Sequence, residues 1–236
     1  AASDVYKRQG YARLMKVLTP SKDRVEPKCP VARQCGGCQI QEMRYEAQLA
    51  FKQKMVQNNL ERIGGLSDFE MYPVIGMETP YAYRNKAQFP VGEDKDGNIV
   101  IGFYAGRTHH IVEQTDCCIG APENGEVLRK VKAYMQKNQI RPYNEEHHSG
   151  IVRHILIRTG YHTKEIMVCL IVNAAKASCL KNAEQLTESL REMDGMTSVM
   201  VNFNTEKTNV ILGKKSEVLW GQPYICLLYT SDAADD

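Results

Sequence analysis

Three cysteines within ten residues constrain this chain more than any other feature. Cys29, Cys35 and Cys38 follow the spacing C-x5-C-x2-C. Two glycines fill the C-x2-C interval, and because glycine has no Cβ, the backbone there can turn tightly and direct N–H groups at sulfur. Core cysteines rarely gather in a polar loop bracketed by proline and glycine. The spacing therefore predicts a bound metal ion or metal cluster.

A four-cysteine site needs one more thiol, and Cys117 and Cys118 are the pair that lies in an apparent loop. Zinc sites typically combine two short C-x2–4-C knuckles. The uneven 3+1 spacing is more typical of [4Fe–4S] ligation, although zinc remains an alternative. Cys169 lies in an apolar strand and Cys179 opens a helix, so we interpret both as packing residues.

Composition narrows the class of protein. The 236 residues are 43% hydrophobic and 25% charged, as in an ordinary globular protein of one large or two small domains. No apolar run approaches the ~18 residues of a membrane span, and no secretory signal opens the chain. The eight cysteines are therefore not expected to form a disulfide framework. A basic surplus in residues 1–62 is compatible with a polyanion contact or with a solvated surface.

Hydrophobic periodicity predicts an α+β fold with an antiparallel, hairpin-rich sheet and packed helices. Helices are predicted at residues 39–63, 123–138 and 180–193. A single strand is predicted at residues 10–19, and hairpins are predicted at 86–92 with 98–104, 151–159 with 165–172, and 198–204 with 208–212.

The two ends differ from the rest of the chain. Residues 1–9 and 226–236 lack helical or strand periodicity and resemble translated sequencing-adapter sequence. We expect both tails to be non-native, Cys226 included, and the native reading frame to be cut at both ends.

Four segments, in this order, resemble the RNA uracil-5-methyltransferase family, and the bacterial 23S ribosomal RNA branch with an iron–sulfur cluster is the best match. The segments are SKDRVEPKCPVARQCGGCQIQ (residues 21–41), PYAYRNKAQFPVG (80–92), GFYAGRTHHIVEQTDCCIG (102–120) and VRHILIRTG (152–160). The resemblance implies a [4Fe–4S] cluster held by Cys29, Cys35, Cys38 and Cys117. Cys118 fills a position that the family usually gives to proline or alanine.

The resemblance also implies a domain order. Residues 10–20 would be the last strand of an RNA-binding TRAM barrel, 21–63 the cysteine loop and its helix, and 64–225 the central α+β domain. The family's Rossmann-like domain binds S-adenosylmethionine, and neither its glycine-rich loop nor an S-C-N-P segment occurs here. We therefore predict no catalytic residue in this chain, and we expect it to be inactive alone and to depend on S-adenosylmethionine only as a full-length enzyme. The implied partner is ribosomal RNA, and the implied setting is a monomer in the cytoplasm.

Candidate RNA contacts lie at the two ends of the first hairpin. Arg84 and Lys86 enter it, and Arg107 and His110 leave it, so these donors could hold phosphates, although solvated hairpin ends explain them equally well. Arg153 and His154 alternate along a strand and are predicted to face opposite sides of the sheet. A zinc-stabilised RNA-binding module without enzymatic activity is the main alternative function, followed by a cluster-bearing redox protein.

Overall fold

The structure, a computed structural model, describes residues 15–227. The predicted tail at residues 1–9, the first part of the predicted strand at 10–19, and residues 228–236 of the second tail lie outside the described residues. Residues 15–19, the described part of that predicted strand, form no strand.

The described residues divide into two compact units. The smaller unit comprises residues 15–27 and Glu42–Ile75, and the larger comprises Lys28–Gln41 and residues 76–227. The cysteine loop thus belongs to the same unit as the sheet, whereas the resemblance grouped it with the helix that follows.

The smaller unit is built around one helix, α1, at Tyr45–Asn58, which ends in a π-helical turn at Asn59–Ile63. It starts six residues later than predicted because the backbone before it is paired elsewhere: the N–H of Arg44 donates to the carbonyl of Asp23 at 2.8 Å. Phe51 and Met55 lie on the predicted apolar stripe, yet each is about half exposed.

The larger unit is a seven-stranded open sheet. Its strands are β1 Lys86–Glu93, β2 Ile99–Tyr104, β3 Ile111–Glu113, β4 Val152–Thr159, β5 Ile166–Val172, β6 Met196–Phe203 and β7 Lys215–Gly221. They lie in the order β3-β2-β1-β4-β5-β6-β7. All neighbouring pairs are antiparallel except β5 and β6, which run parallel. The α+β class is confirmed, and the sheet is mostly rather than wholly antiparallel.

Two of the three predicted hairpins are confirmed, β1 with β2 and β4 with β5. Gly97, with φ of +81°, supplies the left-handed turn residue between β1 and β2. The third is wrong: β6 pairs with β7, and residues 208–212 form no strand. Two backbone carbonyls of that segment accept hydrogen bonds from a side chain instead of from a strand. The side-chain amide of Asn204 donates to the carbonyls of Val210 and Ile211 at 2.6 and 2.9 Å.

Two helices cover one face of the sheet. α2 spans Asn124–Lys137 and α3 spans Ala183–Arg191, each within the predicted range. Along the chain, α3 connects β5 to β6, because two parallel strands need a crossover connection and cannot be joined by a tight turn. The main core, which includes Phe89, Leu128 and Leu186, fills the space between the helices and the sheet. A second, smaller core on Leu156, Cys169 and Ile171 is separate from it.

The core packing predicts that replacing two phenylalanines by alanine lowers the free energy of unfolding by very different amounts. Phe89 is fully buried with its ring 4.8 Å from that of Phe103, whereas Phe51 is 49% exposed. We expect Phe89→Ala to lower the free energy of unfolding by about 3–5 kcal/mol. Phe51→Ala should change it by less than about 1 kcal/mol. Urea unfolding followed by circular dichroism, which reports the helices and the sheet of both units, measures both. Equal losses would contradict the assigned core.

Candidate metal centre

A short loop brings three predicted ligands to the end of β2. Backbone N–H groups within the loop close tight turns, with Cys35 donating to the carbonyl of Val31 at 2.8 Å. The loop is then fixed to the sheet because the N–H of Gly36 donates to the carbonyl of Tyr104 at 3.0 Å. A Cβ on Gly36 would lie 3.1 Å from both that oxygen and Gly106 Cα, so only glycine allows this approach without a shift.

A second loop, just before α2, carries the other two cysteines. The N–H of Gly120 donates to the carbonyl of Cys117 at 3.0 Å, and the N–H of Ala82 donates to the carbonyl of Cys118 at 3.0 Å. The first bond closes a turn within this loop, and the second attaches the loop to the segment before β1. About 80 residues of chain separate this loop from the first one.

Five thiols line one small cavity, which we call the thiol cavity. Its lining residues are Cys29, Ala32, Cys35, Gly37, Cys38, Arg84, Phe103, Gln114, Cys117, Cys118 and Ile119. Cys29 is buried and the other four cysteines of the cavity are partly buried. The sequence-predicted ligands are thus brought together, and Cys118 joins them.

The cavity is unfavourable for bare thiolates. Burial raises the pKa of Cys35, and the neighbouring thiols of Cys117 and Cys29 raise it further. Burial likewise raises the pKa of Cys38, with further contributions from Cys117 and Cys118. A cationic group between these sulfurs would reverse that electrostatic balance.

The thiols do not form a site for one small ion. Within residues 15–227, no three His, Cys, Asp or Glu side chains converge closely enough to hold a single metal ion. Tetrahedral zinc at ~2.3 Å from each sulfur would draw the sulfurs close together. The donor set itself, five thiols around one small cavity, is the kind that iron–sulfur clusters use.

Sequence reasoning missed two polar side chains at the cavity, Gln41 and Gln114. The amide nitrogen of Gln114 donates to Cys29 Sγ at 3.6 Å, and that of Gln41 donates to Cys38 Sγ at 3.7 Å and to Cys118 Sγ at 3.4 Å. Gln41 follows the C-x2-C segment by three residues, which is the one signal that could have indicated it.

The four predicted RNA contacts do not form one group. Arg84 lines the thiol cavity. Lys86 is exposed and lies directly opposite Arg158 across β1 and β4. Arg107 is an exposed turn residue with φ of +61°, and His110 lines a different pocket.

We call the pocket that contains His110 the polar pocket, and the side chains that line it show that another prediction is wrong. Arg153 and His154 both line it, beside Tyr104 and Tyr143, rather than facing opposite sides of the sheet. A β-bulge between Val152 and His154 shifts the register of β4 against β5. The extra residue in a bulge interrupts the regular alternation, so neighbouring side chains can share a face.

The two buried side chains of the polar pocket differ in their bonding. Arg153 donates to the carbonyls of Asn204 and Glu206 at 2.8 and 2.7 Å, which fixes the segment after β6. His154 is 8% exposed, and its Nδ1 has no hydrogen-bond partner in the described part of the chain. Burial, assisted by Arg153, lowers the pKa of His154 to about 4. Its imidazole is therefore neutral at pH 7.

Comparison with known proteins relates the chain to RNA methyltransferases. An uncharacterized RNA methyltransferase of Halalkalibacterium halodurans is 45% identical over 222 residues, which cover 94% of this chain and 48% of that protein. One of Clostridium tetani is 42% identical over 222 residues, with 94% and 47% coverage. No protein-family model matches the chain.

A solved structure also relates the chain to RNA methyltransferases. The crystal structure of Pyrococcus abyssi tRNA (uracil-54, C5)-methyltransferase in complex with S-adenosyl-L-homocysteine matches with a TM-score of 0.66 and 25% identity, covering 89% of this chain and 44% of that one. The chain is therefore homologous to RNA methyltransferases and related to a uracil-5 enzyme. It spans about half the length of the curated relatives it matches. None of the helices in residues 15–227 is long and apolar enough to cross a bilayer.

The buried imidazole predicts a specific acid sensitivity. Because the pKa of His154 falls from 6.5 to about 4 on folding, the folded state binds fewer protons than the unfolded state between these values. The contribution of neutral His154 to the free energy of unfolding is therefore fully present above pH 6.5. It is lost as the pH falls from 6.5 to about 4, and the loss amounts to up to about 3 kcal/mol.

Urea unfolding at steps from pH 7 to pH 4 measures this loss. His154→Gln should flatten the decline, and His162→Gln, at an exposed turn position, should leave it unchanged. A parental slope retained in His154→Gln would contradict the assignment.

Proposed function

We propose that this chain is part of an S-adenosylmethionine-dependent RNA uracil-5-methyltransferase of the 23S ribosomal RNA type, to which it contributes a [4Fe–4S] cluster and RNA contacts. The observation that carries the proposal is the convergence of five thiols, from two loops about 80 residues apart, in a homologue of RNA methyltransferases. The bound S-adenosyl-L-homocysteine of the Pyrococcus abyssi enzyme, the product left after methyl donation, supports S-adenosylmethionine as the methyl donor of the complete enzyme.

The proposed ligands are Cys29, Cys35, Cys38 and Cys117. Cys117 is proposed as the fourth ligand on the family resemblance, and it lines the thiol cavity together with the three cysteines of the first loop. When bound, the cluster would cross-link the cysteine loop to the loop before α2. Closing so long a stretch of chain restricts the unfolded state strongly, so we assign the cluster a structural role.

Two thiols outside the cavity, Cys169 and Cys179, are poor candidates for a nucleophile. Burial raises the pKa of Cys169 to about 12, and burial also raises the pKa of Cys179. A thiol in either environment is protonated at neutral pH and is a poor nucleophile. We accordingly propose that methyl transfer belongs to the complete enzyme and that this chain serves cluster and RNA binding.

One pair of cations supports a phosphate contact. Lys86 and Arg158 are directly opposed on β1 and β4, where like charges repel. Within residues 15–227, neither side chain forms an ion pair with a carboxylate. An RNA phosphate between them would relieve the repulsion. Arg107 and His110 are proposed as further contacts outside this pair.

The cluster proposal predicts a sharp contrast between adjacent cysteines. The chain purified without oxygen should contain about four iron and four sulfide per molecule and be brown. Cys117→Ser should lose most of the iron, because one ligand is removed, whereas Cys118→Ser should retain it. Iron and sulfide analysis with visible absorption measures both. Stoichiometric zinc without iron in the parent chain would favour the zinc-stabilised RNA-binding module instead.

The RNA proposal predicts a change in salt dependence. Replacing Lys86 and Arg158 together by Ala should weaken binding to a 23S ribosomal RNA fragment and reduce the salt slope by about 2, since each cation that neutralises a phosphate accounts for about one. Lys95→Ala, in the turn between β1 and β2, removes an exposed cation elsewhere and serves as the control. Fluorescence anisotropy at several salt concentrations gives the slopes. A double variant with the parental slope would show that this pair does not contact phosphate.

A further inference from the structure

Gln41 connects more of the thiol cavity than any other described side chain. Its carbonyl oxygen accepts the backbone N–H of Cys29 at 3.0 Å, and its amide nitrogen donates to Cys38 Sγ at 3.7 Å and to Cys118 Sγ at 3.4 Å. One planar amide thus reaches both ends of the cysteine loop and the loop before α2.

The orientation of this amide is fixed by its partners. The acceptor oxygen faces a backbone donor, and the two N–H groups face sulfur, which accepts hydrogen bonds most strongly as thiolate. A flipped amide would place oxygen against two sulfurs and a donor against the N–H of Cys29. All three hydrogen bonds would then be broken together.

The amide belongs to a wider set of N–H donors. Gln114 donates to Cys29 Sγ, and the backbone N–H of Gly37 donates to Cys35 Sγ at 3.4 Å. Three of the four proposed ligand sulfurs therefore each accept one N–H. Hydrogen bonds to ligating sulfur stabilise the more negative, reduced form of a cluster and so raise its reduction potential.

We propose that Gln41 is a positioning residue that holds the two cysteine loops together around the cluster and raises the reduction potential of that cluster. This inference rests on the proposed [4Fe–4S] cluster and deepens it. Gln114 also links the two loops, since its amide nitrogen donates to Cys29 Sγ and to the carbonyl of Asp116 at 3.2 Å, but it reaches one cysteine sulfur where Gln41 reaches two. Gln41 acts on the potential and also on retention of the cluster.

Two substitutions separate these roles. Gln41→Leu keeps the size of the side chain and removes all three hydrogen bonds. Gln41→Glu keeps an acceptor for the N–H of Cys29 and places negative charge beside two sulfurs. Gln136→Leu, at an exposed position of α2, is the matched control for a glutamine change in the same unit.

The experiment measures cluster content, cluster lifetime in air and the midpoint potential in a dithionite titration followed by electron paramagnetic resonance. We expect Gln41→Leu to lose its visible absorption about 10-fold faster than the parent chain, because removing a group that supports metal ligands typically lowers metal affinity by about 10–100-fold. Its midpoint potential should be more negative. Gln41→Glu should shift the potential further in the same direction. Gln136→Leu should match the parent in both readouts.

The outcomes distinguish this inference from the function on which it rests. Iron absent from the parent chain would contradict the cluster itself. A loaded parent whose lifetime and potential are unchanged in both Gln41 variants would contradict the role of Gln41 alone. Gln41→Glu preserves the side-chain length and one hydrogen bond. Its midpoint potential therefore decides the role of Gln41 even where circular dichroism shows that Gln41→Leu folds poorly.

Discussion

The attachment of the cysteine loop to the end of β2 is the interaction on which the site depends. The N–H of Gly36 donates to the carbonyl of Tyr104, at a distance that a side chain at position 36 would disturb. The N–H of Ala82 then holds Cys118, and with it Cys117, beside the same sheet end. Two loops far apart in the sequence share one cavity because both are bonded to the backbone of the sheet unit.

The sheet and its two helices were largely predictable because their signals are local. The hairpin of β1 and β2 and the helix α2 follow from alternation, periodicity and one turn glycine. The strand partner of β6 was not predictable in this way. The side chain of Asn204 occupies the backbone of the nearer segment, and such an interaction leaves no periodic trace in the sequence.

The convergence of the cysteines was predictable from the sequence, whereas their polar surroundings were not. Spacing identified the three cysteines of the first loop, and the family resemblance identified Cys117. The structure adds the hydrogen bonds of Gln41 and Gln114 to the cysteine sulfurs, which depend on distances between loops. It also shows that Arg84, a predicted RNA contact, lines the thiol cavity. A bulge places Arg153 and His154 on one side of β4, and alternation alone predicts the opposite.

We propose above all that the thiol cavity holds a multinuclear iron–sulfur cluster. X-ray absorption spectroscopy of the whole chain, purified without oxygen, tests it most directly because it reports both the metal and its neighbours. We predict iron surrounded by sulfur, with a second shell of iron at short distance, as in a [4Fe–4S] cluster. A zinc edge with a single shell of sulfur at ~2.3 Å and no neighbouring metal would contradict it.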